Sequence, residues 1–149
     1  RFWYQWYFQT ERGRAGLQED RRDIARLLWR LWSPNYGFDD AKFERTAVSF
    51  DNPDFVDVVI QSYRHRFGNA PGDPALEEIE TLLAAQPRIT VAAISLEGDA
   101  SGLIAPGVED RHAAHFSGPY ERRVLAGAGH FLPREAPEAF AQAVRDLLT

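Results

Sequence analysis

The chain has 149 residues, a formal net charge of −5 at pH 7, 44% hydrophobic and 26% charged residues, an ordinary globular composition. The acidic balance argues against a nucleic-acid partner, because binding to backbone phosphates needs clustered excess Lys and Arg. The absence of cysteine excludes disulfides, thiolate metal sites and a cysteine nucleophile, and no apolar run approaches the roughly 18 residues of a membrane span, so a cytoplasmic location with no membrane partner is expected.

The chain opens on Arg1-Phe2-Trp3-Tyr4-Gln5-Trp6-Tyr7-Phe8 and contains no methionine at all. The aromatic start has neither a basic n-region nor an A-x-A site, so it does not read as a signal peptide. The sequence is expected to be the later part of something longer. Rings as dense as those of Phe2 to Phe8 require a surface to pack against. Gln9 to Gly16 is polar and glycine-punctuated and reads as a loop or a frayed helix end. From about Gln18 a helical period emerges, with Ile24, Leu27, Leu28 and Leu31 on one face. Ser33-Pro34 stops it.

Asp39 or Asp40 caps a second short helix through Phe43 and Ala47. Asn52 at N-cap and Pro53 at N1 start a third, whose buried face carries Phe55, Val56, Val59, Ile60 and Tyr63 and which stops near Gly68. Asp73-Pro74 caps a fourth, with Leu76, Ile79, Leu82 and Leu83 on one side, ended by Gln86-Pro87. The pattern then changes. Ile89 to Leu96 is a β-branched apolar run, the signature of a strand covered on both faces, as in a parallel sheet. A glycine-containing loop runs to about Gly107, and Val108 to Phe116 is a short helix candidate. A second strand over Glu121 to Ala126, a tight loop at Gly127 to His130 and an amphipathic helix over Glu135 to Leu148 complete a βαβα order. Residues 1–87 are thus helical and residues 88–149 α/β. Two parallel strands do not make a stable sheet alone, so residues 88–149 look like the edge of a sheet whose other strands are absent from this chain.

His130 follows a strand directly, in Gly127-Ala128-Gly129-His130-Phe131-Leu132-Pro133. The glycines allow a sharp turn at the strand's C-terminal end, where open α/β sheets bind ligands. A base there can take a proton from a nucleophile or from water; a loop histidine with a local hydrogen bond is the other reading. Asp99 ends the first strand and either orients an imidazole or forms an Asx turn. His112 and His115 are three apart, which suits a solvated helix face better than a metal pair. His65, between Arg64 and Arg66, reads as a basic helix end. There is no G-x-S-x-G elbow, G-x-G-x-x-G or Walker A loop.

Taken together, the strand, Gly98-Asp99-Ala100-Ser101-Gly102, the second strand, Gly127-Ala128-Gly129-His130-Phe131-Leu132-Pro133-Arg134-Glu135-Ala136-Pro137 and the closing helix resemble the C-terminal third of an α/β-hydrolase of the epoxide hydrolase and haloacetate dehalogenase branch. Residues Trp3 to Gln9 are similar to the aromatic entry into that branch's cap. Tyr63-Arg64 is similar to its Tyr-Arg dipeptide, where a tyrosine can donate a hydrogen bond to substrate.

The resemblance implies an α/β fold in two parts. Residues 1–87 would be the helical cap (lid), and residues 88–149 the last two strands and C-terminal helix of the hydrolase core. The N-terminal core strands, with the nucleophile and oxyanion hole, would lie in a partner portion of the same hydrolase. His130 matches the catalytic histidine, a general base that hydrolyses a covalent ester or deprotonates a serine. The substrate would be a small apolar epoxide, ester or halide held by Tyr63, Trp3 and Trp6, with no metal or organic cofactor; a homo-oligomer stays open. The family's acid usually stands three residues after the strand-end glycine, where this chain has Ser101. Asp99 with a shifted loop, an acid from another strand end, or an inactive hydrolase-like binding module are the alternatives. Gln5-Trp6 replaces the His-Trp pair of dehalogenases, which favours epoxide or ester hydrolysis.

Overall fold

The computed structural model describes residues 1–104 and 109–148. The chain divides into two compact units, one of Arg1–Trp29 with Gly37–Glu77 and one of Arg30–Tyr36 with Glu78–Thr149. This grouping differs from a division at 87/88. Residues Arg30–Tyr36 go with the second unit because Trp32 and Ser33 hydrogen-bond its loops.

The first unit is helical: α1 (Trp3–Tyr7), α2 (Glu11–Glu19), the larger part of α3 (Arg21–Trp32), α4 (Asp40–Ala47) and α5 (Phe55–Arg66). Helix α2 corrects the loop or frayed helix end expected from Gln9 to Gly16. Thr10 Oγ1 accepts from Gly13 N at 3.0 Å and caps it, and the two glycines serve close approach rather than disruption. A Cβ on Gly13 would strike the Tyr7 carbonyl, and one on Gly16 the Tyr7 hydroxyl. Asp39 caps α4 as expected, accepting from Lys42 N at 2.6 Å. Helix α5 begins at Phe55 rather than Pro53, because Asn52 Oδ1 binds Asp54 N at 2.9 Å in a local turn. Gly68, with φ 72°, ends it as expected.

Aromatic rings fill this unit. Phe43 is fully buried, with Trp29 edge-on at 5.3 Å, Phe50 at 6.2 Å and the Arg26 guanidinium 4.0 Å from its ring centroid. Such rings bury 150–250 Å² each, roughly. Arg22 and Arg26 reach Glu44, Asp51 and Asp40 on the surface, pairs that contribute little when exposed.

The second unit holds α6 (Glu77–Ala84) from Glu78 onward, β1 (Ala93–Gly98), β2 (Tyr120–Leu125), α7 (Leu132–Glu135) and α8 (Pro137–Asp146). Strands β1 and β2 run parallel, in register from Ala93 opposite Tyr120 to Gly98 opposite Leu125. The fold is thus helix-rich α/β with a small parallel sheet. The first strand starts later than Ile89. Ile89 makes one isolated bridge to Phe116, and the ladder resumes at Ala93. Double covering of that strand is not realised in this chain: β1 is half-buried up to Glu97, while Val91 is 69% exposed and Val124 52%. Leu82, Leu83, Phe140, Val144 and Leu147 also expose apolar surface.

The helix expected over Val108 to Phe116 is a single 3-10 turn at Ala113–His115. Asp110 Oδ1 accepts from His112 N and Ala113 N and so holds the start of the turn locally. Residues 105–108, within that helix and the preceding loop, lie outside the described residues. The closing helix starts at Pro137, with the proline in its first turn as expected, and a separate short helix, α7, precedes it; proline at 137 disfavours the α conformation at 136. Among the described residues no helix is long and apolar enough to cross a membrane.

Candidate active site

Parallel strands end at the same side of a sheet, and here the two strand-end loops meet. After β2, Gly127 turns with φ 73° and its N–H donates to Asp99 Oδ1 at 2.6 Å. Ala100 N donates to the Ala128 carbonyl at 3.0 Å. Gly98 is required at the crossing, because a Cβ there would strike the carbonyls of Ala128 and Gly129. Asp99 therefore serves the backbone of the loop that leads to His130. Among the described residues no carboxylate bonds the His130 ring.

His130 itself is held by its main chain. Its N–H donates to Ser33 Oγ at 2.8 Å and is shared with the Trp32 carbonyl at 3.2 Å. Phe131 N donates to Ser33 Oγ at 3.2 Å and to Glu135 Oε1 at 2.9 Å, and Gly129 N donates to Glu135 Oε2 at 2.7 Å. The ring lies edge-on to Trp32 at 5.5 Å and beside Phe131 at 5.7 Å. It remains exposed overall. Its partial burial lowers the imidazole's affinity for a proton below the ordinary value, against the opposing pull of the Glu135 charge. A neutral imidazole is the form that accepts a proton. His130 is among the residues that line an apolar cavity of about 370 Å³, with Ile94, Leu96, Leu132, Phe140 and Val144.

Ser101, where the resemblance would set an acid, is buried. Its Oγ accepts from Leu103 N at 3.3 Å and its N–H donates to the Gly98 carbonyl at 3.2 Å. It is a turn residue in this arrangement. His112 and His115 lie at the 3-10 turn, and no group of three His, Cys, Asp or Glu among the described residues is placed to hold a metal ion.

In the first unit, Tyr63 is half-buried between Tyr4 at 5.7 Å and Phe8 at 5.4 Å. Burial first, and then the electrostatic effect of the Tyr4 phenol, raise its pKa, against a smaller opposing effect of Arg66. The phenol is a proton donor throughout the neutral range. Trp3 and Trp6 are exposed, Trp3 beside Tyr4 and Tyr7, Trp6 stacked on Phe67 at 5.4 Å. Sequence reasoning takes Tyr4 only as one ring of the Trp3-to-Phe8 run; it is 3% exposed and carries the phenol that meets Tyr63. The i, i+4 spacing of Tyr4 and Phe8 is the available signal. Ser33 reads in the sequence only as a helix stop, and Glu135 carries no role there.

No protein-family model matches the chain, and no curated protein matches it. A solved structure does. It is the 1.60 Å crystal structure of a "putative epoxide hydrolase" from Klebsiella pneumoniae subsp. pneumoniae MGH 78578, with a TM-score of 0.92 and 43% sequence identity over 98% of this chain. The chain is similar to part of that hydrolase. It spans 48% of the matched chain's length. The epoxide-hydrolase resemblance read from the residues around His130 is borne out, and it extends through the helical unit as well as the α/β unit.

Proposed function

We propose that the chain is one portion of an α/β-hydrolase that acts on a small apolar epoxide or ester through a covalent intermediate. The first unit serves as the cap and the second as the C-terminal part of the core. The observation that carries this is His130: an exposed, proton-poor imidazole at the end of a parallel strand, its backbone fixed from several sides. The epoxide-hydrolase likeness over 98% of the chain supports it.

In this reading a carboxylate on the complementary portion attacks an epoxide carbon and forms an ester. For an epoxide, the ring C–O bond breaks and the new alkoxide takes a proton from Tyr63. His130 then removes a proton from water. The hydroxide adds to the ester carbonyl, the ester C–O bond breaks, the proton held by His130 passes to the departing product oxygen, and the proton of the regenerated carboxylic acid returns to the Tyr63 phenolate. The complementary portion would supply further strands beside β1, which an open sheet of two strands requires.

A second reading has its own observation. Ser101 is buried in a turn, and Asp99 bonds Gly127 rather than the imidazole. That arrangement suits a hydrolase-like binding module without turnover. One experiment separates the two. An apolar epoxide and a carboxylic ester are assayed with the full-length protein, with residues 1–149 alone, and with full-length S101D. The hydrolase reading expects turnover by the full-length protein and none by residues 1–149. No turnover by the full-length protein, with a large gain in S101D, would support the binding module.

A further inference from the structure

The Trp32–Ser33 corner does more than end a helix. Ser33 is 1% exposed, and its hydroxyl oxygen receives two successive amides, His130 N at 2.8 Å and Phe131 N at 3.2 Å, from 97 and 98 residues away. Successive N–H groups converging on one oxygen form a concave cradle that fixes the backbone between them. The neighbouring Trp32 carbonyl accepts from His130 N at 3.2 Å and also from Gly102 N at 3.0 Å. One dipeptide thus ties the loop that carries Asp99 and Ser101 to the loop that carries His130. The fit is tight on its other side, since a Cβ on Gly129 would come within 2.6 Å of Ser33 Cα and 2.7 Å of its Oγ. A serine that merely stopped α3 would need none of these long-range bonds; a solvated cap would serve.

We infer that Ser33 is a positioning residue for His130, with its hydroxyl and the Trp32 carbonyl setting where the imidazole stands relative to the adjoining strand-end loop. This rests on the reading of His130 as the base. Displacing a catalytic group by about 1 Å costs on the order of 10²-fold in rate, so a side chain that fixes the base's backbone contributes without touching substrate.

The test uses the full-length protein and does not depend on turnover. In S33A, amide exchange of a peptide covering residues 128–132, followed by mass spectrometry, should accelerate about tenfold. With labelled histidine, the His130 ring signal, assigned by its loss in H130Q, should titrate closer to the ordinary value of 6.5 as the ring loses its packing on Trp32. A folded S33A with unchanged exchange and an unchanged His130 titration would overturn the inference. Should S33A not fold, exchange in the unsubstituted protein decides: protected His130 and Phe131 amides support the cradle, and exchange at the rate of an unstructured peptide overturns it. Absence of hydrolysis by the unsubstituted full-length protein would instead refute the reading of His130 as a base, and the two failures are distinguishable.

Discussion

Glu135 brackets His130: its two carboxylate oxygens accept from Gly129 N at 2.7 Å and Phe131 N at 2.9 Å, the amides on either side of the histidine. The first turn after the loop thereby reaches back and closes it. Charged acceptors on backbone amides are the stronger class of hydrogen bond. Truncation in E135A should destabilise the full-length protein by about 1–3 kcal/mol, read as a lower denaturant midpoint with an unchanged slope. E135Q, which keeps one acceptor, should lose less.

Gly129 offers a sharper contrast. Alanine there must displace the Ser33 backbone, and overpacking of this kind costs about 1–3 kcal/mol. A Cβ on Gly37 would meet nothing within 4 Å, so G37A should stay within about 0.5 kcal/mol of the parent. Denaturant unfolding of both variants measures the difference. Equal effects of the two substitutions would show that the close approach at Gly129 is not real.

The lowered pKa of His130 has two consequences with definite signs. If neutral imidazole is the active form, the acid limb of the rate profile should fall below pH 6.5, the ordinary value. The folded state also disfavours protonation relative to the unfolded chain. Between the folded value and 6.5 the unfolded state binds more protons, so this group's contribution to stability is full above 6.5 and declines as pH falls through that window. NMR titration of the ring in the full-length protein checks the direction. A midpoint above 6.5 would reverse both expectations.

Tyr63 and Tyr4 are paired phenols, one half-buried and one almost fully buried. If Tyr63 protonates the departing epoxide oxygen, Y63F should lower kcat/KM for an epoxide by about 10²-fold and leave hydrolysis of an activated ester much less affected, since its leaving group needs no proton. Y4F removes a hydrogen-bonding partner of Tyr63 and should cost about tenfold. Steady-state kinetics on both substrates in the full-length protein measure the split.

Much of this is legible in the residues. The shift from 3.6-residue periodicity to the β-branched run near Ile94 announces the change from helices to sheet, and the Gly-Ala-Gly-His turn places the candidate base at a strand end. What escapes are contacts between residues distant in sequence. Gly13 and Gly16 read as helix breakers because nothing local reveals that Tyr7 lies against them. Ser33 reads as a helix stop because its partners are 97 and 98 residues away. In the sequence Asp99 is open to a catalytic role and Ser101 stands where the resemblance expects an acid, and only the folded chain shows which amides each one receives. Strand limits also shift, since Thr90 and Val91 carry β-favouring side chains yet the ladder is interrupted between Ile89 and Ala93.

The central claim is that His130 drives breakdown of a covalent ester. The direct measurement is the intact mass of full-length H130Q after incubation with an apolar epoxide. The account predicts turnover reduced by about 10³-fold or more and a protein heavier by the mass of one substrate, because the ester forms but its hydrolysis lacks a base. Undiminished turnover, with no adduct, would contradict it.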